Sequence, residues 1–574
     1  TWTNDDNPSF PGSGAPNRGI GYSYSTDGGN TWSAQEDRVG GIPLYWPSYA
    51  QWGTNGEAIL ARSARSYEHE GMQILNGLVL LTRENKGVGE WTRRVVPYPA
   101  GTPSEDGWIM AWSRMTTSGD NHQYIQFMTH TRWGDGGKLY EGYTEPVFYY
   151  RTADGGETWD VAGKLVPDEI TDIVWDKGSN PEGRICPSYT DQISVASHGD
   201  VVAASFVRYG YHSYVLKSVD NGETWTATQF FRSSIYAEDS EQYADTCYIP
   251  TQGNVAVDNK GKVHVAFGTW MIDDQYRYTG FFSSFLSYWN EGMDPFDVDD
   301  FIKNDVDNVI FDKFIDGDLS DLVSGKLYVK STTPEWPIIG FYVPLNDDHY
   351  FNGPLLDGFS WIQDSYGMAG TFSFPQMAFD ADNTMHLTYL GIADDKPDGN
   401  TRWFRHPYHT TRTEDGIWTE TKYLVSFIDV IDREFAYLTL AGLYDNKMFL
   451  MAQVDQYAGV FTPYVYPGPP DHGQTTNYFY SFYAYPVPTD AINEIDYTPL
   501  NIGVYPNPAE GQVTVDLKER KGDITVYNML GQVVYHAENV ENKQNISLSN
   551  MTTGVYFVTV RSGNATATQK LIVK

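Results

Sequence analysis

Short runs of alternating apolar and polar residues, bounded by Gly, Asn or Asp, fill most of this 574-residue chain. Alternation with a period of two marks a half-buried strand, and a turn cluster between two such runs makes a hairpin. Six paired runs share one layout. They begin near Pro47 (PSYAQWGTNGEAILARS), Trp112 (WSRMTTSGDNHQYIQFM), Asp191 (DQISVASHGDVVAASFV), Gly253 (GNVAVDNKGKVHVAFGT), Pro375 (PQMAFDADNTMHLTYLG) and Tyr437 (YLTLAGLYDNKMFLMAQ). A second kind of hairpin carries a fixed phrase in its turn: STDGGNTW from Ser25 to Trp32, TADGGETW from Thr152 to Trp159, and SVDNGETW from Ser218 to Trp225. A shorter relative runs from Thr413 through Asp415 to Trp418. Aromatic alternating runs such as Val147-Phe148-Tyr149-Tyr150 lead into these turns. No stretch reads as a long amphipathic helix, so the predicted class is all-β.

The phrase has a mechanical basis. Asp bonds its own downstream backbone, Gly tolerates positive φ, and the Ser or Thr hydroxyl adds a local backbone bond. The Trp opens the next strand with an apolar body and one N–H to satisfy. The phrase, S/T-x-D-x-G-x-x-W, resembles the Asp-box or BNR repeat. That resemblance implies a sialidase-like β-propeller, with each box joining the third and fourth strands of a blade. Asp27, Trp32, Asp154, Trp159, Asp220, Trp225, Asp415 and Trp418 are then structural. The six paired runs become first and second strands, which gives six blades by radial repetition. The hairpin at residues 19–35 has no inner pair before it, and the pair at 437–453 comes late. Joining the two closes the ring with strands from both ends. A further candidate strand at Asn477–Tyr483 leaves seven blades open.

The spacing breaks between about 271 and 372, a long insertion. Ten aspartates lie between Asp294 and Asp321. Carboxylates suit Ca2+, although the spacing fits no EF-hand loop. A solvated acidic loop or a small helical excursion is the alternative. Long loops on rigid scaffolds shape binding sites, which places this one on a functional rim.

A Pro-rich linker at 489–500 separates the propeller, residues 1–488, from a small β-sandwich at 501–574. The sandwich opens with Val504-Tyr505-Pro506-Asn507-Pro508, continues with alternating strands near Ile524 and Gly554, and ends Lys570-Leu571-Ile572-Val573-Lys574. These phrases resemble, in order, the type A C-terminal sorting domain of the type IX secretion system of Bacteroidetes. The resemblance implies export across the outer membrane after signal-peptide removal, then release or attachment at the cell surface, with the secretion machinery as partner.

A net charge of −35 argues against nucleic acid, since phosphate binding needs basic surface. It suits a secreted or surface protein. No apolar stretch approaches the roughly 18 residues of a membrane-spanning helix. The chain opens abruptly at Thr1, as a processed chain would. Cys186 and Cys247 are the disulfide candidate, with two buried thiols as the alternative. A bridge closing a loop of roughly 60 residues contributes about 4 kcal/mol.

A sialidase needs arginines for a substrate carboxylate, a Tyr–Glu nucleophile pair and an Asp acid/base. Members of that family carry the first arginine in an F/Y-R-I-P phrase before the first box. Here the nearest string is Arg184-Ile185-Cys186-Pro187, after the second box, and this departure favours a binding propeller. The remaining candidates for acid–base chemistry are Arg208, Asp348, His349, Tyr350, Arg402 and His406, where His or Asp stands near Tyr and Arg at expected strand ends. Such a set would also serve a polysaccharide lyase. The 17 Trp and 42 Tyr suit a funnel on which sugars stack. Three functions follow: recognition of glycans or a surface partner, a carbohydrate-active hydrolase or lyase, and a structural component of a surface assembly.

Overall fold

A computed structural model describes residues 2–4, 19–36, 38–63, 67–69, 72–74, 77–102, 107–133, 138–143, 146–166, 192–207, 212–232, 246–273, 284–297, 327–328, 338–342, 373–397, 403–419, 421–425, 432–444, 447–456, 478–484, 502–528, 533–562 and 565–574. These residues are all-β and contain no α-helix. The chain divides into two compact units, Thr1–Val487 and Pro488–Lys574.

The first unit is a succession of antiparallel sheets. Sheet I holds Leu44–Trp52, Gly56–Ser63, Leu78–Arg83 and Thr92–Val95. Sheet II holds Trp108–Ser118, Tyr124–Trp133, Val147–Thr152 and Val161–Leu165. Sheet III holds Ile193–His198, Val201–Phe206, Ser213–Ser218 and Thr226–Arg232, with Phe296–Asp297 added in parallel at its edge. Sheet IV holds Thr246–Val257, Val263–Asp273, Ser284–Asn290 and Ile338–Tyr342, edged by Leu327–Tyr328. Sheet V holds Ser373–Phe379, Met385–Pro397, Trp403–Arg412 and Lys422–Tyr423. Sheet VI holds Glu434–Tyr444, Lys447–Asp455 and Tyr478–Ala484. A two-stranded N-terminal sheet pairs Trp2–Asn4 with Gly19–Gly21.

Neighbouring sheets touch in a closed circuit. Gly53 N donates to the His122 carbonyl at 3.0 Å, and Gly119 N to that of Gly199 at 2.8 Å, linking sheets I to II and II to III. Val255 N donates to Ser194 Oγ at 3.1 Å, and Asn259 Nδ2 to the Asp380 carbonyl at 2.7 Å, linking III to IV and IV to V. Phe374 and Tyr437 meet at 5.1 Å between V and VI. At Gly28 of the N-terminal hairpin, a Cβ would lie 3.8 Å from Phe449 of sheet VI. Tyr22 of that hairpin then donates to Glu57 of sheet I at 3.0 Å. Apolar clusters fill these seams, for example Leu60 and Leu80 against Phe127, Phe148 and Tyr150.

Two expectations change. Tyr478–Ala484 supplies sheet VI with its own third strand, in register with Leu450 opposite Phe482, so the N-terminal hairpin does not complete that sheet. The segment 271–372 is not wholly an insertion, because it contains the third and fourth strands of sheet IV. The third strand was hidden because the Asp–Gly phrase is missing after it. The turn at Glu291–Met293 is instead capped by Trp289 Nε1 donating to the Met293 carbonyl at 3.2 Å. Asp294 is exposed, and the aspartates from Asp299 to Asp321 lie outside the described residues.

The Asp–Gly turns behave as their chemistry requires. Ser25 Oγ, Thr152 Oγ1 and Ser218 Oγ accept from the N–H of Gly29, Gly156 and Gly222 at 2.7, 2.9 and 2.7 Å. Asp27, Asp154 and Asp220 each accept from the hydroxyl four residues on at 2.6 Å. Those bonds hold the Asp27 carboxyl down to about 2, the Thr31 hydroxyl foremost. Glycine is required at Gly222: φ is +84°, and a Cβ there would sit 1.9 Å from the Tyr149 hydroxyl of sheet II.

The second unit is a five-stranded sheet of Gly503–Glu510, Gln512–Asn528, Val533–Ser547, Gly554–Ser562 and Ala565–Val573. Its first strand pairs with both the second and the last, around a core that includes Val515, Ile524, Val558 and Leu571.

Candidate functional site: a ring of bulged inner strands

From sheet I to sheet VI the first strand of each sheet lies beside the first strand of the next. Antiparallel order puts the start of the first strand, the end of the second and the start of the third at one edge. The connections there are long. The tight two-strand turns, such as Gly53–Asn55, lie at the opposite edge.

At the long-connection edge the inner strands share a deformation. Register shifts occur at Tyr45/Ser48, Ser373/Gln376 and Ala436/Thr439. Inside them Trp46, Phe374 and Tyr437 adopt φ of 55°, 50° and 53°, and Trp112 of sheet II adopts 52°. A bulge re-aims a side chain, and a large residue held at positive φ is a strained backbone position. Trp46 is 43% exposed and Tyr437 57%. Trp46 stacks on Trp112 with centroids 5.5 Å apart, and Phe374 meets Tyr437 at 5.1 Å.

Polar groups support both aromatic pairs. The Arg62 guanidinium lies 5.4 Å from the Tyr45 ring centre and 5.6 Å from that of Trp46. His130 lies 5.3 Å from Trp112. Beside Phe374, buried Arg405 donates from Nη1 to Ser373 Oγ at 2.9 Å, and from its backbone N–H to Glu434 Oε2 at 2.9 Å.

Of the residues expected to carry chemistry, His406 alone is described. It is buried in Trp403–Arg412 on sheet V, with Nδ1 against the Tyr423 hydroxyl and Nε2 3.1 Å from the Arg433 carbonyl. These contacts fix the ring beside Phe435. Arg184, Arg208, Asp348, His349, Tyr350 and Arg402 lie outside the described residues, as does Cys186; Cys247 falls in the strand Thr246–Val257. Among the described residues no group of three or more His, Cys, Asp or Glu is placed to hold a metal. None of their helices is long and apolar enough to cross a membrane.

The bulged aromatics and Glu434 were missed from sequence. Their one signal is positional: Trp112 and Tyr437 open two of the paired runs, and Trp46 and Phe374 immediately precede two others.

The chain is similar in structure to a protein of unknown function from Dyadobacter fermentans, with a TM-score of 0.37 and 12% identity over 77% of this chain and 95% of that one. It is similar to an ulvan lyase, a polysaccharide lyase, with a TM-score of 0.34 and 10% identity over 82% and 88%. It is also similar to an α-L-arabinofuranosidase of Fusarium graminearum, with a TM-score of 0.36 and 9% identity over 77% and 93%. A search of curated proteins found no match. Residues 503–574 match the secretion system C-terminal sorting domain, so the chain carries the tail of an exported cargo.

Proposed function

We propose that this protein is a cargo of the type IX secretion system whose first unit, a seven-membered β-propeller of the Asp-box kind, recognises glycans at the cell surface or outside the cell. The observation that carries this reading is the repeated placement of an aromatic residue at positive φ on the innermost strand of four sheets. Holding a Trp or Tyr in that conformation costs on the order of 1–3 kcal/mol per residue. A packing role would gain nothing from leaving Trp46 and Tyr437 exposed, whereas a sugar face stacks on such rings. The closed circuit of seven sheets supports the propeller, and the sorting tail supports a site of action beyond the outer membrane.

A hydrolase or lyase is the second reading. Buried Arg405 and Glu434, beside the Phe374–Tyr437 pair, favour it. Applying the full chain to a glycan array, with product release assayed in parallel, separates the two. Binding without turnover is expected. Turnover moves the protein to the enzymes, and silence on every glycan removes the glycan reading and leaves a protein partner or a structural role.

A further inference from the structure

The ring has two more members, and they are not aromatic. Ser48, two residues after Trp46, accepts at Oγ from the N–H of Met115, three residues after Trp112, at 3.1 Å. The same interlock recurs where Ser194 accepts from Val255 N at 3.1 Å, and where Asn254 accepts from Met377 N at 3.0 Å. Counting back by the same steps places Gln192 of sheet III and Gln252 of sheet IV in register with Trp46, Trp112 and Phe374. Gln192 is 6% exposed and Gln252 half-buried. In both, the side-chain carbonyl oxygen is shielded from solvent and accepts no hydrogen bond.

An acceptor left without a donor costs about 1–3 kcal/mol unless a ligand or water supplies one. Here two such acceptors share one arc, across sheets III and IV. The aromatic faces share the other, across sheets V, VI, I and II. The pattern asks for a ligand with flat C–H faces on one side and hydroxyl donors on the other. A carboxylate or sulfate is an acceptor and cannot satisfy a carbonyl oxygen, so an acidic polymer would have to reach these amides through its hydroxyls alone. The net charge of −35 further disfavours polyanions.

We infer that the ring takes an uncharged, hydroxyl-rich polysaccharide, stacked on Trp46, Trp112, Phe374 and Tyr437, with the Gln192 and Gln252 side chains turning to accept its hydroxyl protons. This rests on the glycan reading above and narrows it to a substrate class.

Affinity electrophoresis of the full chain tests it, with neutral gels (mixed-linkage β-glucan, xyloglucan, galactomannan) and acidic gels (polygalacturonate, alginate, chondroitin sulfate). At least one neutral polysaccharide is expected to retard the protein and the acidic ones to leave it free. Gln192→Ala and Gln252→Ala should each weaken retardation about tenfold, the loss of one hydrogen bond to a buried acceptor. Gln252→Glu, which keeps an acceptor oxygen, should lose less. If Gln192→Ala fails to fold, as judged by its melting curve, the half-buried Gln252 carries the test. Retardation by acidic polymers alone, or unchanged binding in a folded Gln252→Ala, overturns the inference and leaves glycan recognition standing. Free migration in every gel overturns both.

Discussion

Glu57 shows how single side chains hold the sheets in register. It is fully buried at the tight-turn edge of sheet I and ion-paired with Arg83 Nε at 2.5 Å. It also accepts from the hydroxyls of Tyr22 and Tyr49, at 3.0 and 3.1 Å, and from Gly87 N at 2.9 Å. Burial, and then the Glu57 charge, push both tyrosine hydroxyls well above their ordinary range. Arg83 in turn lies 4.2 Å over the Trp91 ring. Sheet II has the neutral Gln126 opposite Arg151 in the matching register, but there Asp160 and Glu223 neutralise the arginine. Among the described residues, the exposed Glu36 at 3.6 Å is the further carboxylate neighbour of Arg83. Glu57→Gln therefore leaves a buried guanidinium short of its counter-charge and is expected to destabilise the first unit by about 3 kcal/mol. A drop in the urea midpoint checks this; a midpoint equal to wild type contradicts it.

At the scale of the element, sheet V carries a pH dependence. His386 and His409 lie parallel, centroids 5.4 Å apart, with Nδ1 and Nε2 3.2 Å apart. Burial pushes His409 down to about 3, helped by His386 and Lys422; burial also pushes His386 down, against the pull of Asp380. Both folded values lie below the ordinary imidazole value near 6.5. Their stabilisation is therefore complete above about pH 6.5 and is lost as pH falls from there toward 3. At pH 5 the loss from His409 is about 2 kcal/mol. Urea midpoints at pH 7.5 and 5.0 measure it, and His409→Met should flatten the difference. The same slope in the variant would contradict the assignment.

Elements differ in how readable they were. The N-terminal hairpin and the outer hairpins of sheets II and III declare themselves because each Asp–Gly turn is closed by bonds between its own Ser or Thr, Asp and Gly residues. Sheet IV concealed its outer strands because Glu291–Met293 replaces that turn and a long stretch separates Asn290 from Ile338. The ring of bulged residues was not legible, since a bulge and a positive φ depend on the neighbouring strand rather than on the local pattern. Gln192 and Gln252 matter only through their register with Trp46, which the interlocks of Ser48, Ser194 and Asn254 reveal.

For the whole molecule, the sorting tail and the ring proposed for recognition belong to different units. The tail marks the chain for a secretion machinery. Deleting residues 503–574 in a host with the type IX system is expected to leave the chain inside the cell envelope, detected by fractionation. Unaltered surface or medium levels would remove the export role of the tail. The acidic net charge, −35, disfavours polyanions, in keeping with the uncharged ligand proposed above.

The most direct test of the central claim is a calorimetric titration of the full chain and of Trp46→Ala/Tyr437→Ala with the strongest glycan found on the array. The two rings belong to different aromatic pairs and are the most exposed members of the ring. Loss of both stacking faces is expected to weaken binding about a hundredfold, with the melting curve unchanged. Equal affinity in the folded double variant would contradict the ring as the binding site.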